Sequence, residues 1–428
     1  MISKEILKEV LIEQDSRIKL MLEQGVVRRE KLEEMAELTR IKQTIIIAGI
    51  RRCGKSVFLS QIIDSFFKEY YYINFEDERL ANFELKDFEI LYETCIELFG
   101  KKRTFFVDEI QNIDEWERWV RRMYELGFKF FITGSNAKLL SKELATKLTG
   151  RHIQVSMFPF NFREFLIFNG FELKKNDVFV PEKRAVIMKL LHQYIKTGGF
   201  PEYLKEGRIE ILQGYFNDII QRDIVERYNV TQIKQLKELA RYIITNTGNL
   251  ATYNQLKKTT ELKSINTVIK YFSYLENAYL IFSVPYFSYS LRKQASNPFK
   301  VYAIDVGLRS ALAFRFSKDI GRLYENIIAI ELKQQGKEIY YWKNVQHEEV
   351  DFVIKEDIKI KQLIQVCYDV SNIKTKERET RALLKAGKEL KCKNLLVITE
   401  GYESEEKLEW FGIKGTIKFI PLWKWLLQ

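Results

Sequence analysis

The chain has 428 residues, of which 46% are hydrophobic, and 69 Lys and Arg residues against 58 Asp and Glu residues give a formal net charge of +11. This length and hydrophobic content exclude a disordered protein and favour about two to four globular domains. The positive excess is spread along the chain and favours a nucleic-acid partner without establishing one.

The four cysteines show no spacing that is typical of a disulfide framework or a zinc site; they are Cys53, Cys95, Cys367 and Cys392. Such cysteines suit a reducing compartment, so we expect a cytoplasmic protein. The first residues, MISKEILKEVLIEQ, are charged where a signal peptide is apolar. No run approaches the ~20 apolar residues that cross a bilayer, so we expect no membrane partner.

The first predicted element is a helical segment over residues 1–39, in which Ile6, Leu7, Val10 and Leu11 share one face. From residue 40 to residue 157, strand-like runs then alternate with helical ones. The predicted strands are TIIIAG, YYYINFED, RTFFVDE, FKFFITG and HIQVSM. Alternation of buried strands with helices predicts a parallel sheet with crossover helices.

Three further segments follow, so we predict an α/β multidomain protein. Residues 158–235 are mostly helical and are interrupted by TGGFPEY. Residues 236–297 contain three short helical runs and then a β-rich stretch, LIFSVPYFSYS. Residues 298–428 carry a second α/β pattern, with strands predicted at VYAID, IYYWK, EVDFVIK, LIQVCYD and NLLVITE.

The segment GIRRCGKS, from Gly49 to Ser56, fits the phosphate-loop pattern of glycine, four residues and then Gly-Lys-Ser. The strand and helix that this motif requires are predicted on either side of it. Its glycines let backbone N–H groups face a phosphate, and the helix that follows adds its positive end. We therefore predict binding of ATP and Mg²⁺, with Lys55 on the β and γ phosphates and the Ser56 hydroxyl on the metal.

The predicted nucleotide-binding residues are Gly49, Ile50, Arg51, Arg52, Cys53, Gly54, Lys55, Ser56 and Val57. A chance match in a glycine turn is the alternative. Arg51 and Arg52 occupy variable positions of the motif, so their role stays open at this stage.

Two carboxylates follow the apolar run of RTFFVDEIQNI. Asp108 fits a ligand of Mg²⁺, and Glu109 fits a residue that orients or deprotonates the attacking water. An apolar run that ends in Asp-Glu is common by itself and usually marks a strand that leaves the core. Its position downstream of a phosphate loop favours the catalytic interpretation.

A third strand ends in FKFFITGSNAKLL and places Ser135 and Asn136 at the carboxyl edge, where parallel sheets hold ligands. Asn136 is our candidate for positioning the γ phosphate or the water. The alternative is that Ser135 or Asn136 simply caps the next helix.

These motifs resemble the AAA-type P-loop ATPases, specifically the prokaryotic AAA_14 group in which a DUF4143 region follows the ATPase module. The matching segments are GIRRCGKS, FFVDEIQNI, ITGSNAKLL, LTGR ahead of HIQVSMFPFNFREF, GGFPEYL, VYAIDVGLRSAL, YEN and EVDFVI. The resemblance covers nearly the whole chain from about residue 40. It implies an ATPase core at 40–157, a helical lid at 158–235 and a homo-oligomer.

In AAA-type ATPases an arginine before the last strand reaches the nucleotide of a neighbouring subunit, and Arg151 in LTGRHIQVSM holds the matching place. The resemblance therefore implies a catalytic role for Arg151 in trans. The alternative is that Arg151 caps a helix or pairs locally.

Residues 236–297 resemble a winged helix. Its third helix would read DNA, since Ser264 caps that helix and Asn266, Thr267 and Lys270 can face outward beside Lys263. Further cations available for phosphate contact are Lys257, Lys258, Arg292 and Lys293. The alternative is a winged helix that docks on protein.

Residues 298–428 resemble the restriction-endonuclease-like fold, whose nucleases need acidic metal ligands and a lysine. Glu325 and Asp351 are candidate ligands. Where the family pattern places Glu-x-Lys, this chain has Gln365 and Cys367, so we do not expect a competent nuclease. Lys374 and Lys376 are candidate substitutes for the lysine, although a basic surface helix is the simpler interpretation.

The sequence thus predicts an Mg²⁺-dependent ATPase that binds ATP and ADP and acts as a DNA-associated machine or switch. The alternatives are an ATP-regulated DNA nuclease and a signalling ATPase that binds only protein.

Overall fold

The computed structural model describes residues 2–23, 25–135, 150–313 and 320–428. They form two compact units: unit 1 is Met1–Pro159 with Asn277–Tyr279, and unit 2 is Phe160–Glu276 with Leu280–Gln428. Among the described helices, none combines the length and the apolar character needed to cross a membrane.

Unit 1 is a parallel sheet with flanking helices. The helices are α1 Lys4–Glu23, α2 Lys31–Leu38, α3 Lys55–Phe66, α4 Phe88–Phe99 and α5 Trp116–Glu125, with 3₁₀ turns at Glu78–Leu80, Leu85–Asp87 and Ile110–Asn112. The strands are β1 Thr44–Gly49, β2 Tyr71–Asn74, β3 Thr104–Asp108, β4 Lys129–Gly134 and β5 His152–Met157. The strands pair in parallel in the order β2-β3-β4-β1-β5, which confirms the predicted P-loop AAA-type sheet.

The apolar character of these strands follows from their position inside the unit. Every residue of β1 is buried, as a strand covered on both faces requires. Leu7, Val10 and Leu11 of α1 belong to the same core cluster as residues of β2, β3 and β4, whereas Ile6, predicted on that face, is exposed. Helix α1 therefore packs on the sheet core and is part of unit 1.

Unit 2 contains helices and two sheets. Its helices are α6 Phe162–Phe168, α7 Pro181–Thr197, α8 Pro201–Glu206, α9 Ile209–Asp218, α10 Ile233–Thr245, α11 Tyr253–Thr259, α12 Ile265–Asn277, α13 Leu291–Ser296, α14 Val306–Leu312, α15 Ile320–Gln334, α16 Ile373–Glu389 and α17 Leu422–Trp425. A 3₁₀ turn spans Asp177–Phe179, and a π-helical segment spans Ile219–Glu226.

The strands of unit 2 are β6 Leu250–Ala251, β7 Ile281–Val284, β8 Phe299–Ala303, β9 Glu338–Lys343, β10 Glu349–Glu356, β11 Lys359–Val366, β12 Leu395–Thr399, β13 Ser404–Trp410 and β14 Ile413–Pro421. A mixed six-stranded sheet has the order β13-β14-β12-β11-β10-β9, and an antiparallel three-stranded sheet has the order β6-β8-β7. Sequence analysis assigned β8 to the segment 298–428, but β8 pairs with strands of the segment 236–297. An alternating pattern identifies a strand and does not identify its partners.

The TGGFPEY motif of unit 2 marks a close approach between two elements. The backbone N–H of Gly199 donates to Asp305 Oδ2 at 2.7 Å, and the N–H of Leu308 donates to Asp305 Oδ1 at 2.8 Å. Gly198 has φ +66°, and a Cβ there would lie 2.2 Å from Asp305 Oδ1. The glycine pair thus lets the end of α7 contact the buried carboxylate that caps α14.

Candidate active site

The turn from β1 into α3 is shaped by two glycines. Strand β1 ends at Gly49, where a Cβ would lie 2.0 Å from the carbonyl oxygen of Met157 on β5. Gly54, immediately before α3, has φ +97°, a left-handed conformation that side chains disfavour. Only glycine fits either position, and the chain between them curls at the N-terminus of α3.

A buried arginine outside the motif supports this loop. Arg29 Nη1 donates to the carbonyl of Cys53 at 2.9 Å, and Arg29 Nη2 donates to the carbonyl of Phe158 at 2.6 Å. The backbone N–H of Arg29 donates to Gln61 Oε1 on α3 at 3.1 Å. Sequence analysis missed Arg29, because nothing in VVRREK distinguishes a buried arginine from a surface cation.

Lys55 is the only lysine of the motif, and its ammonium is buried beneath the loop. Its side chain is 4% exposed, and Nζ donates to the carbonyls of Gly49 at 3.2 Å and Ile50 at 3.3 Å. Nζ also lies 3.6 Å from Glu109 Oε1. Burial opposes the positive charge, but the surrounding negative groups, Glu109 foremost and then Asp108, together raise the pKa of Lys55. The lysine is therefore a cation held at the carboxyl edge of the sheet.

Asp108, at the end of β3, is fully buried among hydroxyl groups. The Thr133 hydroxyl donates to Asp108 Oδ1, and the Tyr72 hydroxyl donates to Oδ2 at 3.3 Å. The Ser56 hydroxyl also interacts with this carboxylate. Burial and the adjacent charge of Glu109 raise the pKa of Asp108 to about 6. Asp108 and Ser56 thus lie together, as the proposed metal ligands must.

Glu109 has a left-handed backbone, with φ +51°. Its N–H donates to the Thr133 hydroxyl at 3.1 Å, and its Oε2 accepts a hydrogen bond from Gln111 Nε2. Burial opposes its negative charge, but the charges of Lys55 and Arg51 and the hydrogen bond from Gln111 together lower the pKa of Glu109. A strained backbone of this kind is common where a side chain must point at a reacting group.

Thr133 is a residue that sequence analysis missed. It is fully buried near the end of β4, and its hydroxyl contacts both Asp108 and Glu109. The register pairs Val107 of β3 with Ile132 of β4, so Asp108 and Thr133 follow at the same level of the sheet. A polar residue that ends the apolar run FFIT is the signal that could have identified it.

The other predicted loop residues have varied surroundings. Arg51 pairs with Glu76 at 2.7 Å, and Arg52 is exposed with φ +70°. Ile50 and Cys53 are fully buried, whereas Val57 is half-buried.

The two candidates after β4 differ in what the structure describes. Ser135 is buried, and its Oγ accepts a hydrogen bond from Gln111 Nε2 at 3.5 Å. Asn136 lies outside the described residues.

Arg151 lies directly before β5, at the amino-terminal ends of the parallel strands. The phosphate loop lies at their carboxyl-terminal ends. Its carbonyl accepts a hydrogen bond from the N–H of Thr44, the first residue of β1, at 2.8 Å. Its Nη2 lies 3.4 Å from Glu125 Oε1, and its side chain is 28% exposed. The phosphate loop follows the other end of β1, so Arg151 is placed away from the loop of its own subunit.

In unit 2, the helices α10, α11 and α12 are close in sequence to the strands of the three-stranded sheet β6-β8-β7. The buried side of α12 consists of Val268, Tyr271, Phe272 and Leu275. The cations proposed for DNA contact that are exposed are Lys258, Lys263, Lys270, Arg292 and Lys293, and Lys257 is half-buried. Asn266 is exposed, Thr267 is half-buried, and the N–H of Asn266 donates to Ser264 Oγ at 3.2 Å.

The predicted nuclease-like residues of unit 2 are partly brought together. Glu325 and Asp351 both contact Lys300, which sequence analysis did not select. Gln365 uses both ends of its amide, accepting from the N–H of Asp351 at 3.2 Å and donating to Glu379 Oε2 at 2.7 Å.

The remaining candidates of that set lie elsewhere in unit 2. Cys367 is buried, with its Sγ 3.4 Å from the carbonyl oxygen of Asp369. Lys376 pairs with Glu406 at 2.7 Å, and Lys374 is exposed.

Comparison with known proteins agrees with this architecture. Residues 41–166 match the family model AAA_14, an AAA domain. Residues 188–319 match a domain of unknown function, DUF8612, and residues 320–425 match another, DUF4143.

Full-length relatives extend the similarity to most of the chain. An uncharacterized protein of Methanocaldococcus jannaschii, MJ1544, is 40% identical over 89% of this chain and 88% of its own length. An uncharacterized protein of Haemophilus influenzae is 29% identical over 94% of this chain and 99% of its own length.

A solved signal-transduction ATPase with numerous domains from Pyrococcus horikoshii is 16% identical, covering 73% of this chain and 46% of that one, at a TM-score of 0.26. That value is too low to support an argument about function. The family models and the full-length relatives carry the assignment. The chain belongs to the family of P-loop AAA-domain proteins of the AAA_14 group that carry a C-terminal DUF4143 domain.

Proposed function

We propose that this protein is an Mg²⁺-dependent ATPase. The observation that carries the proposal is the grouping of Lys55, Asp108, Glu109 and Thr133 at the carboxyl edge of a parallel sheet, beside a glycine-shaped loop. Ligands of open parallel sheets bind at this edge. The loop fits a phosphate chain because Gly49 and Gly54 leave room for backbone N–H groups to approach it.

Each residue has a role in this proposal. Residues Gly49 to Val57 hold the phosphates, and Lys55 neutralises charge on the β and γ phosphates. Ser56 and Asp108 would hold Mg²⁺, whose chemistry is to polarise the phosphates and neutralise their charge. Glu109 accepts a proton from the attacking water, since its lowered pKa keeps it ionised. Asn136 orients the γ phosphate or the water.

We further propose a homo-oligomer in which Arg151 acts in trans. Its position before β5, at the end of β1 opposite to its own phosphate loop, supports this, because Arg151 does not lie beside the loop of its own subunit. The ion pair with Glu125 is long and half-exposed, so it holds Arg151 weakly.

DNA association through residues 236–297 is the third part of the proposal. Helices α10 to α12 lie in this segment with β6 and β7, and these two strands pair with β8 at Phe299–Ala303 to form the small antiparallel sheet that a winged helix requires. The ammonium groups of Lys263 and Lys270 are exposed and make no ion pair with any residue that the structure describes. Such cations are available for phosphate contacts.

The rate of phosphate release from ATP, measured with and without duplex and single-stranded DNA, tests this function. A DNA-associated ATPase changes its rate when DNA binds. Turnover that is indifferent to DNA, together with no mobility shift at low salt, would instead favour an ATPase that binds only protein.

A further inference from the structure

A buried lysine in unit 2 lies among three carboxylates. Lys300 of β8 is 2% exposed at its side chain, and Nζ lies 2.8 Å from Glu325 Oε1, 2.7 Å from Glu349 Oε1 and 2.8 Å from Asp351 Oδ1. Glu325 is on α15, and Glu349 and Asp351 are on β10. The ammonium thus connects three elements that are distant in sequence.

The ammonium donates hydrogen bonds to Glu325 and Asp351 and forms an ion pair with Glu349, and the carboxylates have further partners. The Tyr302 hydroxyl donates to Glu325 Oε1 at 2.7 Å, and the N–H of Val366 donates to Asp351 Oδ2 at 2.9 Å. Lys343 Nζ lies 3.3 Å from Glu349 Oε2. These contacts fix each carboxylate around Nζ.

The cluster lines a cavity of about 700 Å³, which is also bordered by residues of α10, α11 and β6. The carboxylates are therefore accessible to small ions that enter the cavity. Even so, the described residues contain no group of three or more His, Cys, Asp or Glu side chains arranged to hold a metal ion.

We infer that the Lys300 ammonium is the resident cation of this acidic cluster and takes the place that a divalent metal would need among Glu325, Glu349 and Asp351. A metal could bind there only by displacing the ammonium, which would leave a buried lysine without partners.

This inference concerns unit 2 and is independent of the ATPase proposal. The amide of Gln365 supports it, because its oxygen already accepts a hydrogen bond from the Asp351 N–H and its nitrogen donates to Glu379. The cluster then holds β8, α15 and β10 together without an external ion, and it does not supply metal-assisted phosphodiester hydrolysis.

The first experiment uses the parent protein without nucleotide. Binding of Mn²⁺ is followed by electron paramagnetic resonance for the parent and for Asp351→Asn, and cleavage of DNA in Mn²⁺ is assayed for both. We expect the two proteins to bind the same number of ions and the parent not to cleave DNA. A site or a cleavage activity that is present in the parent and lost in Asp351→Asn would overturn the inference.

The second experiment removes the ammonium. Lys300→Met keeps the length of the side chain but leaves three carboxylates without their shared cation. We expect this variant to have a lower melting temperature than the parent in EDTA and to recover the parent's melting temperature in Ca²⁺ or Mn²⁺. We also expect it to bind Mn²⁺ at least roughly tenfold more tightly than the parent, because clustered carboxylate oxygens are ligands for such ions. A variant as stable as the parent in EDTA, with no gain in metal binding, would contradict the inference.

Two variants provide controls. Lys300→Arg keeps the charge and should remain stable without metal, whereas a requirement of this variant for metal would count against the inference. Lys343→Met removes a neighbouring cation but leaves Lys300 in place, so it should gain no metal site. If Lys300→Met does not fold, the experiment with the parent and Asp351→Asn decides the question alone.

Discussion

The backbone N–H of Glu109 donates to the Thr133 hydroxyl at 3.1 Å, and that hydroxyl donates in turn to the Asp108 carboxylate. One side chain on β4 therefore positions two consecutive acidic residues on β3. Asp108 and Glu109 have different proposed roles, one as a metal ligand and the other as a base. We therefore expect Thr133 to be a positioning residue, because its hydroxyl contacts the Asp108 carboxylate and the Glu109 backbone at the same time.

Replacing Thr133 by valine should slow ATP hydrolysis by roughly 10- to 100-fold, by analogy with the removal of hydrogen-bond partners that support metal ligands. Valine matches the shape of threonine but removes the hydrogen bonds that the hydroxyl makes with the Glu109 N–H and with Asp108 Oδ1. Thr133→Ser, which keeps the hydroxyl, is the matched control and should retain most activity. Steady-state turnover at several Mg²⁺ concentrations measures both effects, and equal rates for valine and serine variants would refute the positioning role.

Arg151→Ala should retain ATP binding and lose on the order of 10³ in turnover, the scale of a trans-acting arginine. Mixing it with Lys55→Ala should restore part of the activity, since some shared interfaces then have both an intact loop and an intact arginine. Glu125→Ala is the matched control, because it removes one local partner of Arg151.

The outcome for Glu125→Ala distinguishes the two interpretations of Arg151. If the ion pair with Glu125 is the whole role of Arg151, Glu125→Ala and Arg151→Ala should have the same effect. A mixture that stays inactive although hetero-assembly is demonstrated would also exclude action in trans.

Lys263→Ala with Lys270→Ala should weaken DNA binding and reduce the slope of log affinity against log salt by about 0.9 for each phosphate that the protein no longer neutralises. Fluorescence anisotropy with a labelled duplex at several salt concentrations measures this slope. Lys407→Ala with Lys418→Ala is the matched control, because it removes the same charge from exposed positions of β13 and β14. An equal change in both double variants would indicate only a general effect of net charge.

The buried Asp305 carboxylate should make stability depend on pH. Burial outweighs its backbone hydrogen bonds and raises the pKa of Asp305 to about 6 in the folded chain, above its usual value of about 3.9. Between these two values the folded state binds more protons than the unfolded state, so stability falls as pH rises through this window.

We therefore expect the free energy of unfolding of the parent to fall by up to roughly 3 kcal/mol, relative to that of Asp305→Asn, between about pH 4 and pH 6. Above about pH 6 we expect no further change in this difference. Urea unfolding of both proteins at several pH values measures the difference. A difference that is independent of pH would show that Asp305 titrates alike in the folded and unfolded chains.

The phosphate loop could be predicted because its information is local. Residues Gly49 to Ser56 are contiguous, and the strand and helix around them have strong apolar patterns. Strand β3, which ends at Asp108 directly before Glu109, is found for the same reason.

Contacts between distant segments could not be predicted in this way. Thr133 meets Asp108 only because β4 lies beside β3 in the sheet, and strand order is not written in either strand. Lys300 shows the same difficulty, since β8 was assigned to the segment 298–428 but pairs with β6 and β7 of the segment before it. Arg29 is buried through hydrogen bonds to backbone carbonyls, which no side-chain motif records.

Phosphate release from ATP by the parent, Lys55→Ala and Glu109→Gln, measured beside ATP binding by the same proteins, tests the central claim most directly. We predict turnover that requires Mg²⁺ in the parent, loss of nucleotide binding or turnover in Lys55→Ala, and retained binding with slow hydrolysis in Glu109→Gln, because an amide cannot accept the proton. A folded Lys55→Ala protein that binds and hydrolyses ATP like the parent would contradict the ATPase assignment.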